Sequence, residues 1–207
     1  MKPIRVVLAD DHTLVRRGLS ALLTADGSIS VVGEAEDGRE LAKKARALQP
    51  DVALVDISMP LLNGLDAMLK IRRVSPQTRV IILSMFSDDA YIAAAWEHGA
   101  AGYVLKDEAP EQLIEAIRTV VSGGTYFPVE HPPIVTSNLL TPREREVLQL
   151  IAEGKRNSEI ASVMMRSLHT VRSHRARLMM KLRVHSAAEL VQAAEKLGVV
   201  RFSPPEG

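Results

Sequence analysis

The chain has 207 residues, 46% hydrophobic and 25% charged, with a formal net charge of +1, the balance of a globular chain with room for two small domains or one large one. It has no cysteine, which excludes disulfides and thiolate metal sites and suits a reducing cytoplasm. The apolar run near the N-terminus is too short for a signal peptide and no segment reaches the apolar length of a membrane span, so a cytoplasmic location and no membrane partner are expected.

In chain order, Ile4–Ala9, Ile29–Gly33, Asp51–Val55, Arg79–Leu83 and Gly102–Leu105 are short and β-rich. Between them lie helical stripes: Leu14, Gly18, Leu19, Leu22 and Leu23; then Leu41, Ala45 and Leu48; then Leu65, Met68, Leu69 and Arg72; then Ile92, Ala95 and Trp96; then Leu113, Ile114, Ile117, Val120 and Val121. Five βα units in series predict an α/β fold, a doubly wound five-stranded parallel sheet with helices on both faces. Val52–Val55 shows no polar alternation, as expected of a strand covered on both faces. Residues 122–140 hold two glycines and three prolines and read as a linker, semi-rigid around Pro132–Pro133. Beyond it the pattern is all helical. Thr141-Pro142-Arg143-Glu144 forms a capping box with proline at the first helical position, and Gly154 ends that helix. Asn157 and Ser167 read as caps of the next two helices, and Ser186 with Glu189 as another capping box. The organisation is residues 1–122, a linker at 123–137, and a separate all-α four-helix domain at 138–207. The first part carries 14 basic and 17 acidic side chains; residues 123–207 carry 12 and 8. An acidic part joined to a basic part points to different partners.

The strands end in polar residues: Asp10-Asp11, Asp56, Ser84 and Lys106. Taken singly, each has a plain reading. A strand-end Asp caps a turn, an acidic pair or a serine caps the next helix, and a lysine is solvated. Taken together, they converge in the crevice outside the carboxyl ends of a doubly wound sheet. Carboxylates gathered there repel one another unless a cation sits among them, and oxygen ligands on a small hard site favour Mg²⁺ or Mn²⁺.

The stretches L-A-D-D-H, L-V-D-I-S-M-P-L-L-N-G, I-I-L-S and G-Y-V-L-K-D resemble the receiver domain of two-component response regulators, in order over residues 3–122. The resemblance implies a flavodoxin-like fold and Asp56 as phosphoacceptor. It implies Mg²⁺ held by Asp11, Asp56 and the backbone carbonyl of Ser58, with Asp10 helping through water. Ser84 and Lys106 would contact the phosphoryl group as catalytic partners of Asp56, and the phosphodonor would be a sensor histidine kinase. Ser84 and Tyr103 would form the switch, Tyr103 turning inward as the hydroxyl is drawn to phosphate. The plain alternative is a strand tyrosine with its hydroxyl in water. Lys106 is followed by Asp107 rather than proline, so a cis peptide is not expected. Gly64 after Asn63 is expected to allow a tight turn, and Trp96 and Met85 read as packing residues.

In residues 167–182, Val171, Leu178 and Leu182 are expected to face a core, while His169, Arg172, Ser173 and Ala176 share another face. A bidentate donor among short side chains suits a helix in the DNA major groove, with Arg175, Arg177 and Lys181 beside it for phosphates. The alternative is a solvated basic helix. The segment L-T-P-R-E-R-E-V-L-Q-L-I-A-E-G-K…E-I-A…T-V-R-S-H-R-A-R-L-M-M-K-L…S-A-A-E-L-V resembles a LuxR-type helix-turn-helix domain over about residues 138–200. It implies sequence-specific binding of double-stranded DNA, with Thr170 in the contact set, as a homodimer through the last helix. Leu190, Ala194 and Leu197 stripe that helix, for a dimer or for a core. Three positions depart from the family pattern: Arg166 in place of an aliphatic residue, Leu168 in place of a polar one, and Arg183 in place of a glycine. The reading is a transcriptional response regulator, not a metabolic enzyme, whose receiver supports its own phosphorylation and dephosphorylation. A phosphorelay or kinase-titrating receiver is the alternative. A constitutive DNA binder is a third reading, which the intact acidic set disfavours.

Overall fold

The computed structural model describes residues 2–85, 87, 89–108, 110–128, 140–182, 184 and 186–200. The expected semi-rigid stretch at Pro132–Pro133 and the departure at Arg183 lie outside them. The chain divides into two compact units, Met1–Val135 and Thr136–Gly207.

The first unit alternates β1 (Ile4–Ala9), α1 (Thr13–Ala25), β2 (Ile29–Ala35), α2 (Gly38–Leu48), β3 (Val52–Asp56), α3 (Gly64–Val74), β4 (Arg79–Ser84), α4 (Asp89–Glu97), β5 (Gly102–Leu105) and α5 (Pro110–Val121). The strands form one parallel sheet in the order β2-β1-β3-β4-β5. Successive strand residues serve opposite layers. Val6, Leu8, Val52, Leu54, Ile81 and Leu83 pack with Leu23, Leu113, Ala116, Ile117 and Val120 of α1 and α5. Val7, Ala53, Val55 and Ile82 pack with Leu41, Ala45, Ala67, Met68, Ile71, Ile92 and Ala95 of α2, α3 and α4. The unbroken apolar run of β3 thus fills two cores at once.

Two predicted stripes are borne out in part. In α1, Leu19, Leu22 and Leu23 face the core as expected, but Leu14 is 85% exposed and Arg16 is buried in its stead. In α3 the predicted Met68 is fully buried and Leu65 packs against the core from its edge, but the rest of the buried face is Gly64, Ala67 and Ile71 rather than Leu69 and Arg72. A Cβ on Gly64 would lie 2.2 Å from the Asp56 carbonyl oxygen, so the residue is needed for close approach and not for a special φ. Asn63 caps the helix, its side chain accepting from the Asp66 N–H at 2.9 Å. Gly64→Ala is expected to destabilise the unit by about 1–3 kcal/mol through overpacking, read as a lower denaturation midpoint; an unchanged midpoint would mean the β3–α3 loop yields freely.

After α5, Gly123 adopts φ +97° and turns the chain back. Tyr126 then lies beside β5: the Tyr103 N–H donates to the Tyr126 carbonyl at 2.7 Å, and the Tyr126 N–H donates to the Ala101 carbonyl at 3.0 Å. Phe127 meets Trp96 of α4 edge to face, ring centroids 5.0 Å apart. Residues that the sequence assigns to the linker therefore begin as a strap on the sheet.

The second unit contains α6 (Pro142–Ala152), α7 (Asn157–Met164), α8 (Leu168–Leu182) and α9 (Ala187–Lys196). The Thr141–Glu144 capping box is formed, and Gly154 ends α6 at φ +77°. Ser167 Oγ accepts from the Thr170 N–H at 3.1 Å, and Ser186 Oγ from the Glu189 N–H at 3.2 Å. Asn157 is the first residue of α7 and not its cap. Arg156 holds the cap position, its N–H donating to Glu159 at 2.7 Å. Leu190 and Ala194 are fully buried, so that stripe of α9 belongs to the core.

Candidate functional site

The sheet order reverses at β1 and β3, and the acidic residues sit there. Asp10 and Asp11 follow β1, and Asp56 is the last residue of β3. Ligand atoms of Asp10, Asp11, His12 and Asp56 all lie within 4.8 Å of one another. Lys106, just past β5, places its Nζ 2.7 Å from Asp10 Oδ2 and 3.1 Å from Asp56 Oδ2. Ser84, fully buried at the end of β4, accepts the Lys106 backbone N–H at its carbonyl. Tyr103 is 1% exposed and points inward; the reading with its hydroxyl in water does not hold. Ser58 is exposed two residues after Asp56, and its backbone weakly opposes the upward push of burial on that carboxyl.

Burial pushes the Asp56 carboxyl up; Asp10 adds to this and Lys106 opposes it. Burial alone would lower Lys106, but the facing carboxylates of Asp56 and Asp10 outweigh it and hold the ammonium above its ordinary value. Asp10 Oδ1 accepts the His12 N–H at 2.8 Å. Asp10 Oδ2 is buried, and among the described residues its charge partner is the Lys106 ammonium at 2.7 Å, with no well-aligned hydrogen bond. A buried, under-satisfied carboxylate oxygen among further oxygen donors fits a hard divalent cation.

Two nearby residues escaped the sequence reading. His12 joins the acidic cluster, with Nδ1 2.8 Å from Asp11 Oδ1; an imidazole directly after the acidic pair was the available signal. Arg16, 6% exposed, donates to the Asp10 carbonyl at 2.6 Å, to Glu36 at 2.7 Å and to Glu34 at 3.3 Å. Its stripe position was masked by the leucines around it. Met85, expected to pack, is 64% exposed beside Ser84.

In the second unit, α8 buries Val171 and Leu178 and leaves His169, Arg172, Ala176 and Arg177 exposed, with Thr170, Ser173 and Arg175 partly so. The expected reading face is thus open. Two flanking cations have partners within the unit. Arg175 donates to Asn157 Oδ1 at 3.2 Å, and Lys181 donates to Glu144 Oε2 at 2.7 Å. Burial pushes the Glu144 carboxyl up, but Lys181 and Thr141 outweigh it and hold it below the usual range. Lys181 thereby ties α8 to the capping box of α6.

Residues 6–118 match the response regulator receiver domain, and residues 138–194 match the bacterial regulatory proteins of the luxR family. The chain belongs to the LuxR-type response regulators. This response regulator is 40% identical to the transcriptional regulatory protein MctR of Rhizobium johnstonii, over 95% of each chain. It is similar to the solved Salmonella typhimurium RcsB response regulator at 32% identity and a TM-score of 0.67, over 95% of this chain and 99% of that one. It is also similar to RcsB solved as two dimers bound to two parallel DNAs, at 31% identity and a TM-score of 0.58, over 92% of this chain and 97% of that one.

Membership makes this a two-component regulator with a DNA-binding domain, not a metabolic enzyme. Among the described residues no helix is long and apolar enough to cross a membrane. Of its departures from the family pattern, Arg166 is exposed, so the turn between α7 and α8 accepts the charge by presenting it to water. Leu168 is 39% exposed at the start of α8, and Met165, with φ +52°, precedes it in that turn.

Proposed function

We propose that this response regulator takes a phosphoryl group on Asp56 from the phosphohistidine of a sensor histidine kinase and, so modified, controls transcription in the cytoplasm by binding specific double-stranded DNA as a homodimer. The observation that carries this reading is Lys106 Nζ held between Asp10 and Asp56 where the acidic residues converge. An Asp56 carboxylate oxygen attacks phosphorus in line; the phosphorus–oxygen bond forms as the phosphorus–nitrogen bond to the donor histidine breaks. Lys106 gives up its contact with Asp56 to the oxygens of the incoming group, and Ser84 donates its hydroxyl to one of them. Asp11, Asp56 and the Ser58 carbonyl, with Asp10 behind them, would hold Mg²⁺ or Mn²⁺, which neutralises charge on the transferring oxygens. Leu14 and Val15 soon after Asp11-His12, and Met85 after Ser84, are exposed apolar side chains near the strand ends in sequence that a donor protein would cover.

For DNA, the open face of α8 supports base reading by His169, Thr170, Arg172, Ser173 and Ala176, with Arg177 at phosphate. Arg175 and Lys181 reach phosphate only by leaving Asn157 and Glu144. Residues 1–122 act as the receiver, 138–207 as the reader, and the linker joins them. Arg172→Ala is expected to lose about 1–3 kcal/mol at the specific site and to relax one base preference. Arg177→Ala is expected to weaken all DNA alike and flatten the salt dependence by about one unit of slope. Binding measured across operator variants and salt concentrations checks both; identical behaviour of the two variants would reject this assignment of faces.

A further inference from the structure

Helix α1 turns a leucine to water and a charge to protein. Leu14 is 85% exposed and Arg16 is 6% exposed; two residues along a helix stand about 200° apart, so burying one exposes the other. Stability alone does not favour this choice. Desolvating a guanidinium is costly. Its carboxylate partners, Glu34 and Glu36, have side chains 38% and 68% exposed, and ion pairs with solvent-facing groups contribute little.

The guanidinium's shortest contact is to backbone. Arg16 Nη1 donates to the Asp10 carbonyl at 2.6 Å, while Nη2 reaches Glu36 at 2.7 Å and Nε reaches Glu34 at 3.3 Å. That carbonyl belongs to the peptide joining Asp10 to Asp11. On the other side of the same residue, the Asp10 N–H donates to the Ala35 carbonyl at 3.1 Å. Fixing this peptide plane fixes the directions in which both aspartate side chains leave the backbone. A planar fork with donors pointing three ways suits the task; an ammonium does not.

We propose that Arg16 is a positioning residue for the divalent cation: by gripping the Asp10 carbonyl, anchored on Glu34 and Glu36, it aims the Asp10 and Asp11 carboxylates into the crevice. This rests on the reading that the crevice holds Mg²⁺ or Mn²⁺. Simple charge makes the opposite forecast, since removing a cation beside three carboxylates should improve their hold on another. The sign of the effect therefore separates the two accounts.

The test is a calorimetric titration of Mg²⁺ into the unphosphorylated full chain. Arg16→Gln is expected to raise the Kd roughly 10–100-fold, the usual loss when a residue supporting a metal ligand is removed. Arg16→Lys, which keeps the charge but gathers its donors on one atom in place of the planar fork, is expected to raise it by a smaller factor. A Kd at or below that of the unaltered chain in both folded variants would overturn the proposal, even with a lowered melting temperature. If Arg16→Gln does not fold, Arg16→Lys decides by the same criterion. Asp11→Asn serves as the control for the site itself. An unaltered chain that binds no Mg²⁺, or binds it equally well as Asp11→Asn, would overturn the reading beneath the proposal as well.

Discussion

Incubated with a small phosphodonor and Mg²⁺, the chain is expected to gain one acid-stable, base-labile phosphoryl group, and Asp56→Asn none. Three carboxylates share the crevice, but their surroundings differ. Asp10 is fully buried, with Oδ1 taken by the His12 N–H and Oδ2 beneath Lys106. Asp11 stands at the rim with His12 at 2.8 Å. Asp56 lies at the end of the central strand, and Lys106 reaches it at 3.1 Å, where an incoming phosphoryl oxygen would meet the ammonium. Burial pushes the Asp56 carboxyl up, so an adjacent divalent cation favours the ionised form that attacks. Labelling should therefore also vanish when divalent metal is removed. Intact-mass measurement with acid and base stability checks both statements; undiminished labelling of Asp56→Asn would move the acceptor to another carboxylate.

Phosphorylation is expected to tighten operator binding by about 5–150-fold, the range that a typical coupling of roughly 1–3 kcal/mol gives. So small a group acts only by favouring one of two arrangements of the receiver. The receiver has a physical route for it. Ser84 ends β4 beside Lys106, Tyr103 is buried one strand over, and the Tyr103 N–H is bonded to the carbonyl of Tyr126. Phe127 in turn rests on Trp96 of α4. A change in Tyr103 thus reaches the first residues of the strap directly. Beryllofluoride in place of phosphate should give most of the gain, and Tyr103→Ala should reduce it. Residues 138–207 alone should bind without needing phosphate. Titration of operator DNA with both full-length forms and the fragment reads the effect; equal affinity of the two full-length forms at every protein concentration would sink the coupling.

Much of this architecture is legible before any coordinate. The apolar run of β3 announces a strand covered on both faces, and the polar residues Asp10-Asp11, Asp56, Ser84 and Lys106 at four strand ends locate the crevice. The capping boxes at Thr141 and Ser186 mark helix starts because they are local chemistry, satisfied within four residues. What stayed hidden depends on long-range contact. The burial of Arg16 in α1 depends on its reaching Glu34 in β2 and Glu36 just past it, which no periodicity within the helix reveals. The need for glycine at position 64 comes from the Asp56 carbonyl, not from the turn itself. Lys181 reads as a surface cation until Glu144, 37 residues earlier, is brought beneath it.

The strap at Tyr126 has a consequence for how the chain is made. β5 is a four-residue strand at the end of the sheet order, and an unpaired strand edge is a template for adding a strand from a neighbouring chain. Tyr126 occupies that edge on both sides of Gly102. In the order of translation it comes before all of α6 to α9. A nascent receiver thus acquires the means to shield its last strand before the DNA-binding helices exist, at the stage when many half-made copies on one message are crowded together and most prone to join edge to edge.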